Sequence, residues 1–141
     1  MGEDERGRID DEMLRASLLD HRINDTAFAL TGRRASEESA TGLAPGALSS
    51  MFKYYGTEQN KGKYELLLSI LGVQSLGWEG ASFDADEINT TRAWLRSKAN
   101  SIEGGTSEVQ LNIIAKRILG LPDPLSRSLV LVCALPSVFA Y

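Results

Sequence analysis

Apolar residues in this chain return every three or four positions and nowhere alternate convincingly, which leaves helix packing as the route to a core. Leu14, Leu18, Leu19, Ile23, Ala27 and Leu30 form one such stripe and predict a helix from Asp11 to about Leu30. Residues 35–46, with Gly42, Pro45 and Gly46, read as a polar turn region. Leu48, Met51, Phe52 and Tyr55 carry the second stripe, and Leu66, Leu67, Ile70 and Leu71 resume it after the polar interval 56–62. That stretch reads equally as one long helix with a wet middle or as two shorter ones. Residues 72–85 are glycine-rich and predict a loop, after which Asp84 and Asp86 can cap a helix bearing Ile88, Ala93, Trp94 and Leu95. The final helix, 106–119, has Val109, Leu111, Ile113, Ile114, Ile118 and Leu119 around most of its circumference, the pattern of a buried element.

The expected fold class is therefore all-α, an antiparallel helical bundle over residues 11–122. A disordered or frayed N-terminus, 1–10, precedes it, and an apolar tail, 123–141, follows. A chain of 141 residues is long enough for one core. The net charge of −4 and the absence of a Lys/Arg cluster argue against a nucleic-acid surface. One cysteine, Cys133, and one histidine, His21, exclude an intramolecular disulfide and a Cys/His zinc site, so no metal is expected. Cys133 has no base or positive charge beside it in sequence and reads as a small apolar residue. His21, on a charged helix flank, reads as a surface histidine.

Residues 1–10 lack the apolar core of a signal peptide, and residues 128–141 are apolar but too short to span a bilayer and broken by Pro136. A cytoplasmic location is the expectation.

The densest local signal is Ser101-Ile102-Glu103-Gly104-Gly105-Thr106-Ser107-Glu108-Val109-Gln110. Adjacent glycines let a backbone approach something closely, and Ser107 with Gln110 has the spacing of a capping box. Gly120 stands where a helix end favours positive φ, and Pro122 prevents continuation. Glycines, exposed N–H groups and a positive helix end together suit an anionic ligand. Lys53, among Met51, Phe52 and Tyr54, reads as a lysine at the edge of an apolar face that extends to water. Trp78 and Trp94 read as packing residues.

The same stretch, continued through Ile113-Ile114-Ala115 to Leu119-Gly120-Leu121-Pro122, resembles the closing motif of the acyl-CoA dehydrogenases, in which a GTSE-x-Q loop leads into the last long helix and ends at LGLP. The resemblance is nearly continuous from Trp94 to Pro122. It extends more loosely through Met51-Phe52-Lys53, Gly56-Thr57-Glu58 and Glu65-Leu66-Leu67-Leu68 to Leu71-Gly72. It implies the family's C-terminal helical domain, in incomplete form, and an FAD-dependent α,β-dehydrogenation of acyl-CoA thioesters. The family's N-terminal helical and middle β domains have no counterpart here, so the resemblance implies a fragment, a truncated product or an isolated domain, inactive by itself. Residues 123–141 are foreign to the family pattern.

By position, the resemblance implies flavin contacts at Gly104, Gly105, Thr106 and Glu108. Many members place the glutamate that removes the α-proton immediately before GTSE, and here that slot holds Gly104, with Glu103 one residue upstream. Glu103 is the candidate base. The alternatives are a base on an earlier helix outside this chain, or loss of the chemistry. Leu111 replaces a frequent arginine, Ser69 stands where many members carry a flavin-binding glutamine, and residues 1–30 lack the family's arginine-containing flavin motif. Implied partners are an acyl-CoA substrate, an electron-transfer flavoprotein and further subunits, identical or different, joined through the bundle. A second reading is a non-catalytic assembly subunit that lends a bundle and a flavin-site wall to a longer chain. A third is a decayed gene piece. An incomplete bundle should leave its stripes uncovered and self-associate.

Overall fold

The computed structural model describes residues 2, 5–41 and 48–122. Four helices follow in order: α1 (Glu12–Ala40), α2 (Leu48–Leu71), α3 (Ala85–Lys98) and α4 (Ser107–Ile113). Short 3-10 turns, Gly72–Leu76 and Ala99–Ser101, close α2 and α3. The long α2 is the centre of the arrangement and packs against α1, α3 and α4. The tail 123–141, with Cys133, lies outside the described residues, as do residues 42–46 of the turn expected at 35–46.

Helix α1 starts where the sequence predicts, with the Asp11 carboxylate accepting from Leu14 N at 2.9 Å. It then runs to Ala40, about ten residues past the predicted end. Two facts explain the extension. Residues 35–40 contain no glycine or proline, and Arg33–Glu37 and Arg34–Glu38 form i,i+4 ion pairs at 3.0 and 3.4 Å. Such pairs contribute only about 0.2–0.5 kcal/mol each, but a polar composition alone does not end a helix. Asp10 N–H donates to Gly2 O, which folds the start of the chain back on itself.

Helix α2 is one continuous element. Its glycines are contact positions and not breaks. A Cβ on Gly56 would sit 3.2 Å from Phe28 Cζ, so any larger residue would require the Phe28 ring to give by a few tenths of an ångström. Phe28 packs edge-on against Phe52 at 5.6 Å and tilted against Tyr55 at 5.4 Å, and Tyr55 Oη donates to Asn24 Oδ1. The loss of about 0.5–1 kcal/mol for a mid-helix glycine is offset by this ring contact.

Between α2 and α3 the predicted loop is tightly folded. Gly77 lies against the Phe83 ring, and Arg92 stacks 5.0 Å from the Trp78 ring while donating to Trp78 O. Asp84 opens α3, its N–H donating to Glu87 Oε2 at 2.9 Å.

The described residues do not close a core. Among the described residues Leu14 is the one buried hydrophobic side chain. Leu19, Ile23 and Leu30 on α1 are more than 60% exposed. The final helix departs furthest from expectation. Its apolar circumference predicts burial, yet Val109 is 49% and Leu119 63% exposed. The composition is that of a buried helix, but the elements that would bury it are not among the described residues. The helix also widens after Ile113 into a π turn, Ile114–Ile118, in which Leu119 N–H reaches Ile114 O. Gly120 then turns left-handed (φ +62°), as the sequence predicts, and Leu121 N–H closes on Ala115 O.

Candidate functional site

The glycine loop is placed by a polar seam between α2 and the end of α3. Thr57 Oγ1 donates to Asn100 O at 3.3 Å, and Asn60 Nδ2 donates to Asn100 Oδ1 at 2.9 Å. Lys61 Nζ bridges Glu58 Oε1 at 2.8 Å and Ser101 Oγ at 2.9 Å. Ile102 and Glu103 N–H both return to Ala99 O, which ends α3 in a tight turn. The chain then takes two left-handed residues in succession, Gly104 (φ +66°) and Gly105 (φ +93°). Residues with a Cβ rarely adopt this pair of conformations.

The N-cap of α4 is Thr106, one residue earlier than the predicted Ser107. Thr106 Oγ1 accepts from Val109 N at 3.3 Å. The predicted Ser107–Gln110 capping box does not form. Ser107 Oγ is buried without a hydrogen-bond partner, and Gln110 turns back to donate from Nε2 to Gly104 O at 3.0 Å. Gln110 is buried, and a Cβ on Gly105 would lie 2.7 Å from that same nitrogen. The second glycine is therefore favoured by its φ, and a side chain there would also have to displace the Gln110 amide from Gly104 O.

Glu103 is held on both carboxylate oxygens. Arg96 Nη2 meets Oε2 at 2.8 Å, and Asn100 Nδ2 donates to Oε1. The Arg96 hydrogen bond first, and the Asn100 amide second, hold its carboxyl below the ordinary glutamate range. A group whose folded value is depressed contributes stability that is present above its ordinary value and lost as pH falls through the folded one. Wild-type chain should therefore exceed Glu103→Gln slightly in urea midpoint at neutral pH. The difference should vanish progressively below the ordinary value of 4.5. A constant gap down to strongly acidic pH would contradict the ion-pair assignment. Glu108, also exposed, is lowered first by its own backbone N–H and then by the Thr106 hydroxyl.

The structure thus gathers Glu103, Gly104, Gly105, Thr106 and Glu108 in one exposed turn. It also adds four residues that were not assigned to the site from sequence: Lys53, Arg96, Asn100 and Gln110. Gln110 had a signal, since it belongs to the motif, but its role was read as capping. Arg96 and Asn100 had none beyond their nearness in sequence. Lys53 reverses its expectation. Its ammonium nitrogen does not reach water but is closed off without a hydrogen-bond partner.

The outer side of the loop is open. Nothing lies nearer than 4.0 Å to a Cβ position on Gly104, and the atom at that distance is Lys53 Cε. The first-turn donors of α4 are partly spent on its own cap, since Glu108 N–H serves the Glu108 carboxylate and Val109 N–H serves Thr106. No helix among the described residues is long and apolar enough to cross a membrane.

Residues 3–119 match the family description "Acyl-CoA dehydrogenase, C-terminal domain". Acyl-CoA dehydrogenase IpdE1 of Mycolicibacterium smegmatis is 41% identical over 58 residues, covering 41% of this chain and 14% of that protein. Acyl-CoA dehydrogenase FadE34 of Mycobacterium tuberculosis is 32% identical over 96 residues, covering 68% of this chain and 12% of that protein. The crystal structure of the ChsE4–ChsE5 complex from Mycobacterium tuberculosis superposes with a TM-score of 0.68 at 26% identity, over 86% of this chain and 32% of the matched one. The matched chain segments span about an eighth of the curated relatives and about a third of the matched structure.

Proposed function

This chain belongs to the acyl-CoA dehydrogenase family, and from that premise we propose that it is the C-terminal segment of an FAD-dependent enzyme that dehydrogenates acyl-CoA thioesters at the α,β bond. The observation that carries the reading is the loop of two left-handed glycines, open on its outer side and buttressed from within by Gln110. Such a backbone fits one wall of a flavin site, because no side chain of the loop obstructs a planar ring system or its phosphates. FAD, when bound, supplies the acceptor for the substrate's β-hydride.

Gly104 and Gly105 would present backbone to the flavin, and Thr106 and Glu108 would fix the helix end that borders it. Glu103 has the wrong surroundings for the α-proton base. Both oxygens are engaged and its affinity for a proton is reduced, whereas a general base works best with a pKa near the operating pH. We assign Glu103 to holding the loop and the base to a part of the assembly outside this chain. The acyl-CoA, the electron-transfer flavoprotein and a cytoplasmic setting follow from the family reading.

The uncovered apolar faces, together with a two-component complex as structural neighbour, also favour a second reading. In it the chain is a non-catalytic subunit completing a flavin site on a longer partner. Co-expression with a neighbouring dehydrogenase chain separates the possibilities. The enzyme reading expects a yellow complex that reduces a dye with an acyl-CoA, with Glu103→Gln retaining most turnover. A complete partner dehydrogenase that loses its flavin when this chain is left out, and recovers it when the separately made chain is added back, supports the assembly reading. Colourless protein that cannot be reconstituted with FAD contradicts both.

A further inference from the structure

Asn100 is bonded to α2 on one side and to the entry of the glycine loop on the other. Its backbone carbonyl accepts from the buried Thr57 hydroxyl at 3.3 Å, and its side-chain oxygen accepts from Asn60 Nδ2 at 2.9 Å. Its side-chain nitrogen donates to Oε1 of Glu103, the residue immediately before Gly104. Chemistry fixes the order of donors along this line. An ionised carboxylate only accepts, so the Glu103 end requires the NH2 of Asn100. The Asn100 oxygen must then face α2, where Asn60 has to present its own NH2. Arg96 holds the second Glu103 oxygen at 2.8 Å, which favours the charged form. The line Asn60, Asn100, Glu103 therefore runs one way, from α2 to the loop.

We propose that Asn100 is the positioning residue of the glycine loop, its amide oriented from α2 by Asn60 and in turn orienting Glu103. It acts where the chain reverses. Ile102 and Glu103 N–H both return to Ala99 O, at 2.9 and 3.0 Å, and the two left-handed glycines follow. Glycines have no side chains to anchor, so such a turn takes its footing from the residues that flank it. Gln110, on Gly104 O, supplies the footing on the far side, and Asn100 supplies it on the near side. An amide that merely capped the end of α3 would leave the loop indifferent to a change at Asn60, one helix away. As part of a flavin wall the relay rests on the family reading. As a feature of the fold it does not, and its test uses the chain without flavin, so a failed relay leaves the flavin assignment standing.

The test reverses the donor order in the full 141-residue chain at neutral pH. Two readouts are compared with wild type: amide exchange at Ile102 and Glu103, taken relative to Leu66 to Leu68 on α2, and the Gln110 side-chain resonances, which report on Gly104 O. Asn60→Asp changes α2 alone. Its carboxylate competes with Glu103 for the one NH2 of Asn100, so exchange at Ile102 and Glu103 should rise roughly tenfold, as for one lost charge-assisted hydrogen bond. The Gln110 resonances should move with it. Asn100→Asp should do the same, by setting two carboxylates face to face. Adding Glu103→Gln to Asn100→Asp restores a donor and an acceptor in the opposite order. The new amide donates to the new carboxylate, while its oxygen still accepts from Arg96. That double variant should return to within about twofold of wild type, the signature of direct coupling. Unchanged exchange in Asn60→Asp, or a double variant as loose as Asn100→Asp alone, overturns the proposal. The Asn60→Asp result decides by itself if Asn100→Asp does not fold.

Discussion

Gly105→Ala should destabilise the folded chain by about 2–4 kcal/mol, read as a fall in the urea midpoint, from backbone strain plus a lost buried hydrogen bond. The first contribution is conformational, because at φ +93° any residue with a Cβ is strained, by roughly 1–2 kcal/mol. The second is a collision, since the new methyl would stand 2.7 Å from Gln110 Nε2. Gln110 is buried and donates to Gly104 O at 3.0 Å, so moving it aside forfeits that bond. An unsatisfied buried amide costs about 1–3 kcal/mol. Gly104→Ala supplies the control. It carries the strain of φ +66° but meets nothing nearer than 4.0 Å, so it should cost about half as much. Equal losses in the two variants would show that Gln110 does not hold the loop.

The second large effect is association. Leu19, Ile23 and Leu30 lie uncovered along α1, and Val109, Leu111, Ile118, Leu119 and Leu121 lie uncovered around α4 and the turn that follows. Apolar surface of this extent on a small chain is normally interface. A standard interface buries about 800 Å² per partner. Sedimentation velocity on the 141-residue chain should show mass rising with concentration. Ile23→Asp combined with Leu119→Asp should shift it strongly toward monomer, with helix content retained. Monomer at every concentration in the wild type would mean that these faces are covered within the chain.

These effects also mark how far the sequence was readable. Helix existence was legible because each apolar stripe has a helical period, and Asp11, Asp84 and Gly120 act at helix ends as their chemistry predicts. The end of α1 was not, because residues 35–40 are polar without being helix breakers, and polarity says only that a face is wet. The continuity of α2 was not, because glycines at 56 and 62 suit both a break and a close helix contact. Only the position of Phe28 across the groove decides between them. Burial of α4 was misread for a different reason. Periodicity reports what a residue needs, while exposure reports what the chain provides.

In the loop, the glycines and the cap were visible in type and off by one residue in register. Thr106 and Ser107 are equally good caps, and it is the left-handed Gly105 that delivers Thr106 in the extended conformation a cap requires. The wrapping of Glu103 by Arg96 and Asn100 depends on a three-dimensional turn at Ala99 that no local pattern announces. Lys53 was missed because a lysine's long stem is compatible with either water or burial, and here its nitrogen is closed off.

The flavin-site assignment of the glycine loop is tested most directly by amide hydrogen exchange on the chain co-expressed with a neighbouring dehydrogenase chain, with and without saturating FAD. Exchange should slow across residues 104–108, most at Gly105 and Thr106, and Gly105→Ala should abolish that protection. Protection by FAD elsewhere in the assembly, with exchange at 104–108 unchanged, would contradict the account.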